Sequence, residues 1–403
     1  MCKPTQKSVP RKRALLVTFD VFRHKGGSAR VVEAEHHALV QRGWDAHLLA
    51  VDAPEAETLA DSRSVFSCGD DWKTGFELGA GRYQAAALSL WEKARWLNTK
   101  FDYDVIHAHH YVGAWAMIDL KNTGGVASVF TCHGIRKHHV SVYRHEDQSA
   151  WKDSNAAWKA GTEAAMTEAM HVLEVACINR ADLVSCVSHH TAAELVETCP
   201  RVSPMVIENF YSVDDRIQEP VRAVEPMVGS STIISFVGRW ERTKGCDIVF
   251  DLAERLRLHP EINIIHAGDV LDAPYHGNVT HVGHLSDSEL TWLYKHSSLV
   301  IMPSRYEPCG LAAIEAMCNG TPVLAHAVGG LQEVVAENET GWLLRSLNPE
   351  LWAARILSLV NGSDAFPNSQ KVSKTACTRF DAHEQLDKYC KLLESAISER
   401  SGA

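Results

Sequence analysis

Leu299-Val300-Ile301-Met302-Pro303-Ser304-Arg305-Tyr306-Glu307-Pro308-Cys309-Gly310-Leu311-Ala312-Ala313-Ile314-Glu315-Ala316-Met317 decides the fold. Its first four residues form an apolar run of strand length, Pro303 ends the run, and from Gly310 the apolar spacing is that of a helix. A buried strand feeding a loop and then a helix is one unit of an open parallel sheet, where ligands bind beyond the strands' carboxyl ends. Glu307 falls on that loop, and Glu315 lies about one and a half turns into the helix. A carboxylate on the loop can accept hydrogen bonds from sugar hydroxyls, and the helix N-terminus beside it offers free N–H groups to phosphate. Taken alone, the pair fits a loop charge and a solvated helix face equally well.

The same alternation extends in both directions. Apolar runs at Ala14–Phe19, Ala46–Val51, Val105–Ala108, Ala127–Thr131, Asp182–Val187 and Met205–Ile207 read as strands of a first half. Helical patterns near Ala29–Arg42, Tyr83–Leu97 and Ser154–Asn179 separate some of them. The pattern breaks between Tyr211 and Ser231, a stretch with Pro220, Pro226 and Gly229 and no apolar period, which reads as a linker. A second series follows at Ile233–Val237, Ile262–His266, Thr280–Val282, Leu299–Met302, Pro322–Ala325 and Gly341–Leu344. The expected organisation is a first domain over 14–210, a linker over 211–230, a second domain over 231–375, and a C-terminal helix over 376–403 that packs back on the first domain. Strands separated by helices imply parallel sheets with right-handed crossovers, hence two doubly wound α/β domains facing each other across a cleft.

Composition narrows the function classes. A chain of 403 residues suits two domains, and 45% hydrophobic with 22% charged residues is ordinary for a soluble protein. A net charge of −10 argues against general nucleic-acid binding, though not against a local basic phosphate pocket. Eleven scattered cysteines with no Cys-x-x-Cys pair fit reduced thiols in a cytosol. No apolar stretch reaches the roughly 18 residues of a membrane span. The basic segment Lys3–Arg13 reads as a tail, open to weak attraction by anionic lipid, and the expected location is the cytoplasm.

Four constellations could carry chemistry. Gly26-Gly27, between the first strand and first helix, lets backbone approach an anion, although a tight turn without ligand would look alike. Gly238-Arg239, with Lys244-Gly245 beyond it, puts two cations at a strand end, where they could hold a diphosphate as it departs. His133 stands at a strand end and could donate a hydrogen bond to a sugar or act as a base, but it is one of 22 histidines. Val328-Gly329-Gly330 again places glycines where a helix N-terminus would face the cleft. His107, His109 and His110 crowd another strand end, yet no two-His-plus-carboxylate spacing occurs on one element, so no metal site is expected.

In that order the constellations resemble the retaining GT-B glycosyltransferases, the group of sucrose synthase, sucrose-phosphate synthase and bacterial mannosyltransferases. The resemblance is densest at Gly283, Pro303-Ser304, Glu307-Pro308-Cys309-Gly310-Leu311, Glu315-Ala316-Met317, Gly320-Thr321-Pro322-Val323, Gly329-Gly330 and Thr340-Gly341. It extends to Gly238-Arg239, Lys244-Gly245, Gly26-Gly27 and Phe130-Thr131-Cys132-His133. The resemblance implies two Rossmann-like domains and transfer of a hexosyl unit from a nucleoside diphosphate sugar, with UDP the commonest choice. Glu307 would contact the donor sugar and Glu315 the ribose. Arg239 and Lys244 would neutralise the diphosphate, with Gly238 beside them and Gly26 and Gly27 closing from the other domain. His133 would bind the transferred sugar, and Cys309, Gly310 and Leu311 would complete the pocket through their backbones.

Such enzymes retain anomeric configuration without a metal, so neither metal nor cofactor is expected beyond the donor. The acceptor would be a small polar hydroxyl compound such as a sugar, cyclitol or natural product, shaped by Tyr111, Trp115, Ile135–His139 and Tyr143–Glu146. A lipid-linked acceptor, or an epimerase or hydrolase acting on the donor alone, is the alternative. Glu208-Asn209-Phe210 departs from the usual Pro-Asn-Gly turn. Lys25 directly before the glycines, with Glu315 where tyrosine is usual in glucan synthases, argues against glucan-chain elongation.

Overall fold

The computed structural model describes residues 11–19, 27–51, 65–68, 81–138, 168–212, 218–270 and 279–402. The first half builds a seven-stranded parallel sheet in the order β3-β2-β1-β4-β5-β6-β7. Its strands are β1 (Arg13–Thr18), β2 (Asp45–Ala50), β3 (Val65–Ser67), β4 (Val105–Ala108), β5 (Ala127–Cys132), β6 (Leu183–Cys186) and β7 (Met205–Val206). The second half builds a six-stranded parallel sheet in the order β10-β9-β8-β11-β12-β13. These are β8 (Thr232–Val237), β9 (Ile262–Ala267), β10 (Val279–Gly283), β11 (Leu299–Met302), β12 (Val323–His326) and β13 (Gly341–Leu344). Both are α/β sheets of the expected doubly wound kind, one to each half of the chain. Each reverses its direction of growth once, between β1 and β4 and between β8 and β11.

Alternation along the strands makes both faces apolar. Ala14 and Leu16 of β1 enter one core with Val31, Val32 and Leu39, while Leu15 and Val17 enter another with Leu90, Leu97 and Met117. In the second sheet Leu299 and Ile301 pack with Leu252 and Trp352, while Val300 and Met302 pack with Ile314 and Met317. Sheets apolar on both faces need helices on both sides, which is why each domain is three layers thick.

The chain crosses back at its end. Val372, Ala376 and Phe380 bury their side chains in the second-half core, so that packing runs on to Phe380 rather than stopping at 375. Asp381 then restarts the chain as an N-cap, its side chain accepting from the Glu384 N–H, and the helix Ala382–Ser401 begins. Tyr389, Leu392, Leu393 and Ala396 of that helix enter the core that holds Ala14, Leu16 and Val129. The linker is not a bare tether. Val221 and Val224, three apart, are buried in the second-half core, and Glu225–Met227 form a single 3-10 turn. The Ser154–Asn179 helix is seen over 168–180, and the rest of it lies outside the described residues. Among the described residues the cysteines are all free, and no helix is long and apolar enough to cross a membrane.

Candidate active site

The two reversal points face each other across a cavity of about 630 Å³. Gly27, His109, Tyr111, His133, Ile135 and Arg136 line the first-half side. Gly238, Arg239, Lys244, Glu307, Cys309, Gly310, Leu311 and Glu315 line the other. Gly26 lies outside the described residues. Residues read separately along the chain thus meet in one cleft, because strand order brings the loops after β1, β4, β5, β8 and β11 to one place.

The Glu307 loop is fixed from below. The Arg305 N–H donates to the Thr243 carbonyl at 2.8 Å, and its guanidinium grips Asp247 through two contacts of 2.7 Å. The loop is thereby tied to the turn bearing Lys244, whose Nζ sits 2.8 Å from a Glu307 carboxylate oxygen. Glu307 is buried, so this ion pair is shielded from solvent on most sides. The Gly329-Gly330 pair has a different task from the cleft-facing one expected of it. The Gly330 N–H donates to the Glu307 carbonyl at 2.8 Å, and a Cβ on Gly329 would come within 2.1 Å of that same oxygen. These glycines let two backbones touch beneath the carboxylate.

Beyond Glu307, burial pushes the Cys309 thiol up to about 12, which leaves it protonated and a poor nucleophile. Gly310 then takes a left-handed conformation at φ 92°, and the helix Leu311–Cys318 starts with its first-turn N–H groups at the cleft wall. Glu315, in this helix, is buried and raised above the usual carboxylate range by that burial, with the Arg30 charge pulling partly back. It accepts from Tyr294 Oη at 2.9 Å and pairs with Arg30 at 2.6 Å. Arg30 belongs to the other half and also pairs with Asp287 at 2.7 Å. Arg239 is half exposed and pairs with Glu241 at 2.8 Å, leaving it room to swing toward a ligand.

From the first half, the helix Gly27–Gln41 comes so close that a Cβ on Gly27 would lie 2.9 Å from Leu311. His133 follows β5. Burial and the neighbouring histidines hold it well below its usual value, so it is neutral at pH 7. The segment after it is pinned across the cleft, since Tyr306 Oη accepts the Ile135 N–H and donates to Glu194, each at 3.1 Å. Ser188 Oγ likewise donates to the Pro308 carbonyl at 2.6 Å. Trp115 is exposed and absent from the cavity wall, while His139 and Tyr143–Glu146 lie outside the described residues.

Sequence reading passed over Arg30, Tyr306 and Glu35, and weighed His109 only as a metal ligand. Arg30 stands one turn beyond Gly27, which was the available signal. Glu35, His107 and His109 form a buried trio whose ligand atoms lie within 4.8 Å of one another. The spacing rule looked along single elements, whereas the fold assembles this set from two. His107 and His109, two apart at a strand end, share a face, and Glu35 comes from the helix packed over it.

Two doubly wound domains meeting at their reversal points, with paired cations beside paired carboxylates on one wall, define a GT-B architecture. Residues 218–377 match the glycosyl transferases group 1 and residues 25–215 the Glycosyltransferase Family 4, and the chain belongs to these glycosyltransferase families. It is 26% identical over 291 residues to the D-inositol 3-phosphate glycosyltransferase of Corynebacterium urealyticum, covering 65% of this chain and 64% of that protein. The match thus spans less than two thirds of that relative's length. Among solved structures it resembles the sucrose-phosphate synthase of Thermosynechococcus elongatus with a TM-score of 0.74 at 21% identity, over 96% of this chain and 100% of that one. It also resembles Anabaena HepE, solved in complex with UDP and glucose, with a TM-score of 0.71 at 17% identity over 96% and 100% of the two chains.

Proposed function

We propose that this protein transfers a hexosyl unit from a nucleoside diphosphate sugar, a UDP-sugar first of all, to a hydroxyl of a small polar acceptor, with retention of configuration. The observation that carries the reading is the Lys244–Glu307 pair at 2.8 Å beside the N-terminus of the Leu311–Cys318 helix, with neutral His133 on the facing wall. Lys244 and Arg239 hold the diphosphate and stabilise the charge it gains as the glycosidic bond breaks, with the helix N–H groups adding to their field. Glu307 accepts hydrogen bonds from the donor sugar's hydroxyls, and Glu315 from the ribose after Arg30 gives up part of its pairing. His133 holds the transferred sugar from the other side. The acceptor hydroxyl arrives on the same face as the leaving diphosphate, which takes its proton as the new bond forms. The two cations supply the charge that a divalent ion supplies elsewhere, so no metal is required.

The UDP and glucose named with HepE support a UDP-sugar donor. The inositol phosphate named for the corynebacterial relative favours a cyclitol among the acceptors, and Arg136 on the first-half wall suits an anionic substituent. We place the reaction in the cytoplasm, in keeping with free thiols and no membrane-spanning helix among the described residues. The test is a thermal-shift screen of UDP-, GDP- and ADP-sugars, followed by nucleotide release with and without candidate acceptors. A donor at about 100 times its Kd stabilises by about 2.7 kcal/mol. Release that needs no acceptor would point to a hydrolase, and no response to any nucleotide sugar would defeat the reading.

A further inference from the structure

We propose that Glu35 and His109 form a buried relay that fixes the tautomer of His133, so that His133 meets its ligand with an Nδ1 lone pair rather than an N–H. The inference rests on His133 acting in the cleft as described above. Glu35, His107 and His109 are all buried. One Glu35 oxygen lies 2.8 Å from His107 Nδ1 and the other 2.9 Å from His109 Nε2. His109 Nδ1 lies 3.2 Å from His133 Nε2, and His133 borders the cavity. The Tyr389 ring, from the C-terminal helix, packs 5.9 and 6.1 Å from the two inner imidazoles and helps to keep water out.

Proton counting sets the direction of the chain. A lone carboxylate in a dry site must be hydrogen-bonded, and the donors placed on Glu35 are imidazole N–H groups. His107 Nδ1, 3.2 Å from His109 Nε2, already faces the other Glu35 oxygen, and Glu35 Oε2 has no partner unless the His109 Nε2–H turns to it; His107 therefore carries its proton on Nδ1 and His109 on Nε2. A neutral imidazole has one proton, so His109 Nδ1 is an acceptor and His133 Nε2–H must donate to it. The other branch closes the same way: His107 Nε2 accepts from Thr131 Oγ1 at 2.7 Å, which accepts from Ser185 Oγ at 2.6 Å. Burial alone would raise the Glu35 carboxyl, yet the two histidines outweigh it and hold it at about 2. Burial in turn lowers His107 to about 4. An anionic Glu35 beside a neutral His107 ring is consistent with both. The trio has the donor set of a metal centre, but in this arrangement the two nitrogens facing Glu35 are protonated and offer no lone pair to a metal.

Glu35 and His109 are thus positioning residues. They decide whether His133 accepts from a sugar hydroxyl or donates to one. The test is two-bond proton–nitrogen NMR of protein carrying labelled histidine, with His133 assigned by loss of its signals in His133→Gln. The wild type is expected to show Nε2–H at His133 near pH 7. In Glu35→Gln the amide donates to His109 and inverts the chain, so His133 should move to the Nδ1–H form. Turnover should then fall at least about tenfold, with the donor KM changed less than about threefold and both properties partly restored in Glu35→Asp. An Nδ1–H or doubly protonated His133 in the wild type would overturn the relay. So would an unchanged tautomer in Glu35→Gln, or one equivalent of zinc in the purified protein. If no nucleotide sugar is used at all, the transferase reading fails while the tautomer result still stands, so the two failures are distinguishable.

Discussion

Replacing Arg239 and Lys244 together by Ala is expected to slow turnover about a hundredfold, the loss associated with removing donors aimed at developing charge. The size follows from where the two cations sit. A unit charge about 4 Å from a cation is worth about 4 kcal/mol at an effective dielectric near 20, but only about 1 kcal/mol in bulk water. Lys244, one quarter exposed and held against the buried Glu307, lies nearer the first limit, whereas Arg239 at 51% side-chain exposure lies nearer the second. The diphosphate is already charged before the bond breaks, so only the increment gained in the transition state counts toward rate. About 3 kcal/mol for the pair is then reasonable, which is about a hundredfold in kcat. The assay is steady-state kinetics with the donor found by the thermal-shift screen, alongside urea unfolding. Unfolding matters because Lys244→Ala strands the Glu307 carboxylate in a buried site. Adding Glu307→Gln should recover stability without recovering rate. Turnover of the double alanine variant within about threefold of wild type would remove both cations from the mechanism.

The same charge argument predicts that turnover survives dialysis against EDTA, and activity lost on chelation and regained with Mg²⁺ or Mn²⁺ would contradict it. Retention predicts an α-linked product from an α-linked hexose donor by NMR, and a β product would sink the proposed chemistry. Tyr306→Phe removes the acceptor of the Ile135 N–H and the donor to Glu194, so urea unfolding should show a loss of about 1–3 kcal/mol; an unchanged midpoint would mean the interdomain pin contributes nothing. Stability should also fall with acid. His107 is lowered from 6.5 to about 4 and His133 lies below its usual value as well, so the unfolded chain binds more protons in that window. The His107 contribution is complete above about pH 6.5 and is lost toward about pH 4, by up to about 1.4 kcal/mol per pH unit, and His133 adds to the loss in the same direction. A flat urea midpoint between about pH 7 and 5 would contradict it.

Local chemistry was legible in the chain. Leu299–Met302 and Val105–Ala108 were readable as strands because apolar runs bounded by breakers report the backbone's own preferences, and both were found with those limits. Glu307, Lys244 and His133 could be nominated because a polar residue just past a strand end has one place to go in an open parallel sheet. Their partners could not. Lys244 and Glu307 are 63 residues apart, His107 and Glu35 are 72, and Arg30 and Glu315 are 285. Helix and strand periods relate a residue to neighbours two to four positions away, and nothing in them specifies which loops will face each other. The sequence by itself determined the two series of strands and helices and the charged groups at their ends. Tertiary structure alone decided which charge meets which, because strand order and the crossing of the final helix place those ends. Burial along the cleft then shifts which groups are ionised.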